Sequence, residues 1–270
     1  MGYEHVEVET DGAVGWLWLN RPDKHNAMSA DMWSDVPDAV AELTADDAVR
    51  CIVVAGRGGS FTAGIDLTML ASVAGAGSHA DRSHADRSRR IRADVARLQK
   101  TMTAFERARV PVIAAVHGYC LGAGIDLITA CDIRFAAPGS TFGIRETPMG
   151  LVADVGTVQR LPRLIGRGQL AELLFTGRDF DAEEAERIGL VNRVVADVHA
   201  HAAGVAAEIA RNSPLVVQGA KEVLRLQEDM SVDAALDHMA LWNAAFLASN
   251  DIGEALSAHI EKRPPDYTGT

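Results

Sequence analysis

At 270 residues the chain is about 1.8 times a domain of roughly 150 residues, so one large domain with an appendage is expected. Its 48% hydrophobic and 23% charged residues exclude a disordered or collagen-like chain and a small disulfide scaffold. The 26 Lys and Arg against 37 Asp and Glu leave a net charge of −11, which disfavours nucleic acid as the main partner.

The opening residues, Met1-Gly2-Tyr3-Glu4-His5-Val6-Glu7, carry acids where a signal peptide has bases and an apolar core. Val6 stands where myristoylation wants Ser or Thr. Val6 and Val8 alternate with Glu7 and Glu9, Asp11-Gly12 signals a turn, and Val14 to Leu19 resumes as a strand, so a hairpin is expected. After the polar loop Arg21 to Asn26, Ser29 is placed to cap a helix running toward Leu43. Cys51 to Ala55 reads as a buried strand.

Residues 74–87 differ in composition and contain a duplication, Ser-His-Ala-Asp-Arg at 78–82 and again at 83–87. The two histidines are five apart, a poor spacing for metal ligands on one helix face, so a solvated loop or frayed helix is expected. From Arg90 onward Ile91, Val95, Leu98, Met102 and Phe105 form one apolar stripe of a long helix. Val112 to Val116 is the next strand, followed by a glycine-rich turn and a short helix to about Cys131. The longest uncharged stretch, Val110 to Ile125, is broken by Pro111 and three glycines and is too short to span a bilayer. Strands at Ile133 to Ala136 and Val191 to Val195, and helices around 157–176 and 182–188, come next. Three helical stretches, with breaks near Pro214, Asp229 and Asn250, fill the last 70 residues. The alternation implies an α/β core with a helical C-terminal piece. Cys51, Cys120 and Cys131 lack metal-site spacing and read as small buried hydrophobes. With no membrane span or leader signal, a cytoplasmic protein is the default expectation.

An internal repeat is the most informative local feature. Ala63-Gly64-Ile65-Asp66-Leu67 and Ala123-Gly124-Ile125-Asp126-Leu127 are identical, 60 positions apart. Each follows a β-branched strand and a glycine-rich turn, and each is expected to open a helix. Glycines let backbone N–H groups approach a ligand, and a helix start has unpaired donors with a positive dipole. Two such turns facing each other make a pair of donors for one oxygen.

Gly122-Ala123-Gly124 gives only a fragment of a dinucleotide fingerprint, since Leu127 stands where its third glycine belongs. P-loop, HExxH and GxSxG motifs are absent from the sequence. Three acids in apolar surroundings remain. Asp126 falls in the first turn of its helix, where a dipole-stabilised carboxylate is the plain alternative. Glu146 lies between Phe142-Gly143 and Pro148-Met149-Gly150, with only Arg145 as a basic neighbour. Asp154 is the lone charge in Leu151 to Gly156; an N-cap for the helix near Thr157 is its plain alternative. Carboxylates buried this way have raised pKa values and become acid–base groups near neutral pH.

Phe61 to Leu67, His117-Gly118 with Leu121 to Gly124, and Ala130 to Phe135 resemble the crotonase (enoyl-CoA hydratase/isomerase) superfamily, over about residues 5–200 and including the loop Arg21-Pro22 to Asn26-Ala27. Within it the acids Asp126, Glu146 and Asp154 and the run Gly150 to Thr157 are most similar to the Δ3,5-Δ2,4-dienoyl-CoA isomerases. The resemblance implies a ββα spiral core over 1–200. It also implies a helical region over 201–270 that covers the acyl pocket and builds homotrimers, often paired into hexamers. It further implies a thioester oxyanion hole from the N–H groups of Ile65 and Ala123, although the repeat alone does not select those two. CoA is expected along Lys24, His25, Ala27, Ala63 and Asp66.

In this resemblance Glu146 takes a proton from C2, Asp154 delivers one to C6, and Asp126 sets their protonation. The acyl-CoA is substrate, with no metal and no redox cofactor. Hydratases of the superfamily resemble a different pattern, with glutamates at the positions of Asp126 and Glu146. The expected activity is conversion of 3,5-dienoyl-CoA to 2,4-dienoyl-CoA in unsaturated fatty acid breakdown. The enzymatic alternative is a 2-enoyl-CoA hydratase, and the non-enzymatic one an acyl-CoA- or RNA-binding relative.

Overall fold

In the computed structural model, residues 2–73 and 83–270 are described. The expected hairpin forms from β1 (Val6–Asp11) and β2 (Val14–Leu19), with Asp11 opposite Val14 and Gly12 left-handed at the turn. From β2 onward the sheet is parallel. It adds β3 (Cys51–Gly56), then β4 (Val112–Val116), and ends with β6 (Ile133–Ala136) and β9 (Arg193–Val194), in the order β1-β2-β3-β4-β6-β9. A second sheet of three short strands has the order β5 (Tyr119–Leu121), β7 (Thr141–Gly143), β8 (Asp179–Asp181).

Strands β2, β3 and β4 of the first sheet are buried on both faces, which is why they read as continuous apolar runs. Leu17, Leu19, Ile52, Val54, Val112 and Ala114 face one core with α1 (Ala30–Ala45) and α3 (His84–Arg107). Trp16, Trp18, Val53, Ala55, Ile113 and Ala115 face the other, closed by Val198, Ala202 and Ala206 of α8 (Val198–Ala210). Ser29 caps α1 as expected, accepting from the Met32 N–H.

The chain climbs by repeating one strand in each sheet and then a helix. β4 and β5 lead to α4 (Ala123–Thr129), and β6 and β7 lead to α5 (Thr157–Arg160). The first turn is less regular: after β3 only Thr62 bridges toward the second sheet, at Cys120, before α2 (Leu67–Val73). This is the expected ββα spiral. Past it come α6 (Arg167–Thr176), α7 (Ala182–Ile188), α8, α9 (Pro214–Leu226), α10 (Val232–Phe246) and α11 (Asn250–Glu261).

Several expectations need correction. Of the loop and helix expected for 74–87, the second Ser-His-Ala-Asp-Arg copy takes the helical form: Ser83 caps α3, which therefore starts before Arg90. The first copy, 78–82, lies outside the described residues. Ile91 and Val95 are only half-buried, so the core stripe of α3 is Leu98, Met102 and Phe105. β5, β7 and β8 were not expected, because three-residue strands carry no readable alternation. The strand at Val191 to Val195 shrinks to β9. The helix expected over 157–176 is broken by a 3₁₀ turn at Leu161–Arg163 and by Gly166, which precedes α6. Where three helical stretches were expected after residue 196, four helices stand among the described residues, with breaks at the expected places.

Arg134 and Lys221 tie these layers together. Arg134, buried, donates to the carbonyls of Cys131 (2.6 Å) and Leu190 (2.7 Å), neutralising the end of α4. Lys221 of α9 donates to the carbonyls of Val110 (3.0 Å) and Phe105 (3.2 Å) and to Asp132 (2.8 Å). The helical C-terminal region is thereby fastened to the base of β4.

Candidate active site

The two copies of the repeat are brought side by side by backbone pairing. Thr62 donates to the Tyr119 carbonyl (2.8 Å) and accepts from the Leu121 N–H (3.1 Å). Copy two becomes helical at Ala123, directly after Gly122 in a positive-φ turn. Copy one stays extended. Gly64 accepts from Met28 (2.8 Å) and Asp66 donates back to Met28 (3.0 Å), so its helix opens only at Leu67. The expectation that both copies start helices therefore holds at different registers.

The residue between those two bonds is Ile65, and its N–H donates to no atom of the described residues. The Ala123 N–H, first in its helix, likewise has no acceptor there. Gly64 (φ +92°) permits the close approach: a Cβ on it would lie 2.6 Å from the Leu121 carbonyl oxygen and 3.4 Å from the Ala123 nitrogen.

The three acids gather beyond this pair. Asp126 is buried in α4, and its Oδ1 accepts from both the N–H (2.6 Å) and the hydroxyl (2.7 Å) of Thr157. Burial pushes its pKa up to about 6 against those two bonds, and the charge of Asp154 adds to the rise. Glu146 is pushed up to about 7, first by burial and then by the charges of Asp126 and Asp154. Its Oε1 sits so close to Gly122 that a Cβ there would be 3.6 Å away, and its buried Oε2 has no hydrogen-bond partner among the described residues. Arg145 does not neutralise it, being paired with Asp179 at 2.6 Å. Burial also raises Asp154 above the ordinary carboxylate range.

The capping alternative for Asp154 is wrong: Gly156 precedes α5 without a side-chain cap, and the Thr157 N–H goes to Asp126. Asp126 thus terminates a helix other than its own, 31 positions away. Sequence reasoning missed Thr157, although a hydroxyl at a helix start after a glycine is the signal that points to it. It also missed Gln99, whose side chain donates to the Asp154 carbonyl at 2.6 Å.

A second edge of the site is built by the Arg21 to Ala27 loop. His25 and Asn26 are both left-handed, at φ 49° and 55°. Buried Asn26 fixes them, accepting from the Arg21 N–H (2.7 Å) and donating to the carbonyls of Ser60 (2.7 Å) and Arg57 (2.9 Å). The Ala63 N–H donates to the His25 carbonyl (2.8 Å), which places Lys24, His25 and Ala27 along Ala63. Lys24 and His25 are exposed. Asp66 is spent internally: it accepts from Arg21 at 2.5 Å and from the Thr68 hydroxyl at 2.6 Å, which hold its pKa well below the usual range.

Among the described residues no group of three His, Cys, Asp or Glu side chains is arranged to hold a metal ion. The three cysteines are buried thiols, and burial pushes Cys51 and Cys131 up to about 12. No helix among the described residues is long and apolar enough to cross a membrane.

Residues 9–270 match the family described as Enoyl-CoA hydratase/isomerase. Over 268 residues the chain is 40% identical to the Arabidopsis thaliana protein named Delta(3,5)-Delta(2,4)-dienoyl-CoA isomerase, peroxisomal, covering 98% of this chain and 96% of that one. It is 42% identical over 266 residues to the mitochondrial protein of that name from Mus musculus, covering 97% and 81%. Among solved structures, the enoyl-CoA hydratase from Bacillus anthracis superposes with a TM-score of 0.89 at 31% identity, covering 99% of this chain and 100% of that one. The compartments named for the two isomerases give the cytoplasmic expectation no support. The chain is an enzyme of the enoyl-CoA hydratase/isomerase, or crotonase, family.

Proposed function

We propose that this enzyme converts a 3,5-dienoyl-CoA into a 2,4-dienoyl-CoA in the breakdown of unsaturated fatty acyl chains. The observation that carries the reading is Glu146, a half-buried residue whose buried Oε2 has no partner among the described residues and whose pKa lies near neutrality, pressed by two further acids. A general base works best when its pKa lies near the working pH. Its target here is a hydrogen on C2, activated by the neighbouring thioester carbonyl.

The chemistry follows from that placement. The N–H groups of Ile65 and Ala123 receive the thioester oxygen, and stabilising charge on that oxygen is typically the largest catalytic contribution. Glu146 takes a proton from C2, and the electron pair spreads from the oxygen through the diene to C6. Asp154 gives its proton to C6, the carbonyl reforms, and the double bonds come to rest at C2 and C4. One proton leaves and one arrives, so no electron acceptor is needed. Glu146 ends protonated and Asp154 ionised, and a proton returns between them through solvent before the next turnover. Asp126, anchored by Thr157, keeps a like charge beside Glu146. The CoA moiety lies along Lys24, His25, Ala27 and Ala63, where Asp66 acts by holding Arg21 and through it the loop.

We read 1–200 as the spiral core and 201–270 as the oligomerisation region and acyl-pocket cover. The support is α10, in which no residue is buried, although Val232 (75%), Leu241 (70%) and Leu236 (62%) are apolar and exposed. A homotrimer, alone or paired as a hexamer, covers such a face. Hydration of a 2-enoyl-CoA is the second reading, favoured by the name of the Bacillus anthracis structure, since Glu146 and the two N–H donors also serve that reaction.

The two reactions separate in a spectrophotometer. A 3,5-dienoyl-CoA is expected to gain the absorbance of a 2,4-dienoyl thioester, whereas fast loss of the crotonyl-CoA enoyl band without dienoyl conversion establishes the hydratase instead. Because Glu146 must be ionised to act, kcat/KM is expected to fall about tenfold per pH unit below about 7. In Asp126→Asn, which keeps an acceptor for Thr157 but removes the like charge, that limb moves to lower pH; an unmoved limb contradicts the role given to Asp126. Light scattering is expected to return three or six times the 28.8 kDa chain mass, and a monomer would refute the oligomer.

A further inference from the structure

Asp154 stands in a segment with no backbone scaffold of its own. Residues 152–156 lie in no helix or strand, and none of their N–H groups donates to a backbone carbonyl of the described residues. A proton donor must nevertheless be aimed closely, since a displacement of about 1 Å at a reacting group can cost on the order of a hundredfold in rate. Something outside the segment has to hold it.

That support comes from one face of α3. Gln99, Thr103 and Glu106 are spaced i, i+4 and i+7, which aligns them on one side of the helix. Gln99 Nε2 donates to the Asp154 carbonyl at 2.6 Å. Glu106 accepts from Arg160 Nη2 at 2.8 Å and the Thr103 hydroxyl accepts from it at 3.3 Å, while Arg160 Nη1 donates to the Val155 carbonyl at 3.3 Å. Two consecutive carbonyls, those of Asp154 and Val155, are therefore held by α3, one directly and one through Arg160. The path of Arg160 depends on Gly156, where a Cβ would lie 1.8 Å from Nη1. None of these bonds goes to the Asp154 carboxyl, which stays free to lose and regain a proton.

We infer that Gln99 is a positioning residue for Asp154, the direct member of an α3 clamp that fixes the backbone from which the C6 proton donor projects. The inference rests on the isomerase reading of the site. Gln99 is exposed and touches none of the groups assigned to C2 chemistry, so its loss affects one of the two proton transfers. Delivery to C6 slows, whereas removal from C2 by Glu146 continues.

The test is Gln99→Met, which keeps the length of the side chain and removes its donor. Wild type and variant are incubated with a 3,5-dienoyl-CoA in D2O. The deuterium entering C2 of recovered substrate is measured against the 2,4-dienoyl product formed. The expected result is a fall in isomerisation of about tenfold with KM unchanged, and a matching rise in the ratio of exchange to isomerisation. Isomerisation within twofold of wild type overturns the inference. So does an unchanged ratio, the signature of a general structural defect. A wild-type enzyme that neither exchanges C2 nor forms the conjugated product overturns the isomerase reading beneath it.

Discussion

The site depends on the desolvation of carboxyl groups that the fold leaves incompletely hydrogen-bonded. Removing a carboxylate from water costs several kcal/mol unless partners replace the lost hydration. Asp126 is compensated at one oxygen by Thr157, and Glu146 has an oxygen with no partner among the described residues. The result is a pair of acids raised to about 6 and about 7. For a carboxyl raised in the folded state, the stability penalty is full above the folded pKa. It is relieved as the pH falls toward the unfolded value. Each rise costs the fold on the order of 3 kcal/mol at neutral pH, recovered between about pH 7 and 4. On the proposed reading the site exchanges stability for acid–base chemistry near neutrality.

The spiral makes such a site possible because it brings distant turns to one place. Thr62 bonded across to β5 puts Ile65 beside Ala123, and Met28 keeps Ile65 out of a helix, where its N–H donates to none of the described residues. α4 then contributes both Ala123 and Asp126. α5 docks its first N–H on Asp126, and Glu146 lies over Gly122. The two N–H groups and the acids to which the proposed reaction assigns the carbonyl and its neighbouring carbons are therefore set by the same few strand-to-helix turns.

Much of this was legible where the signal is local. The Asp11-Gly12 hairpin, the Ser29 cap and the apolar strands of the first sheet follow from turn chemistry and periodicity. The repeat was visible, but the register at which each copy turns helical was not, because Met28 decides it from outside the copy. The acids were found as charges in apolar runs. Thr157 as a partner of Asp126 was not found, since the bond links residues 31 apart through two different helices. Asn26 went unread for a similar reason: its carbonyl partners, Arg57 and Ser60, belong to another loop. The short strands of the second sheet are set by their neighbours rather than by their own composition.

The central claim is that separate carboxyls handle the two ends of the diene, and Asp154→Asn examines it most directly. The change removes an ionisable proton at nearly constant volume, so acyl-CoA affinity measured by calorimetry is predicted to stay within a few-fold of wild type. Conversion of a 3,5-dienoyl-CoA is predicted to fall by about 10²–10⁴. Turnover close to that of wild type in the same preparation would contradict the account, because the C6 proton would then come from elsewhere.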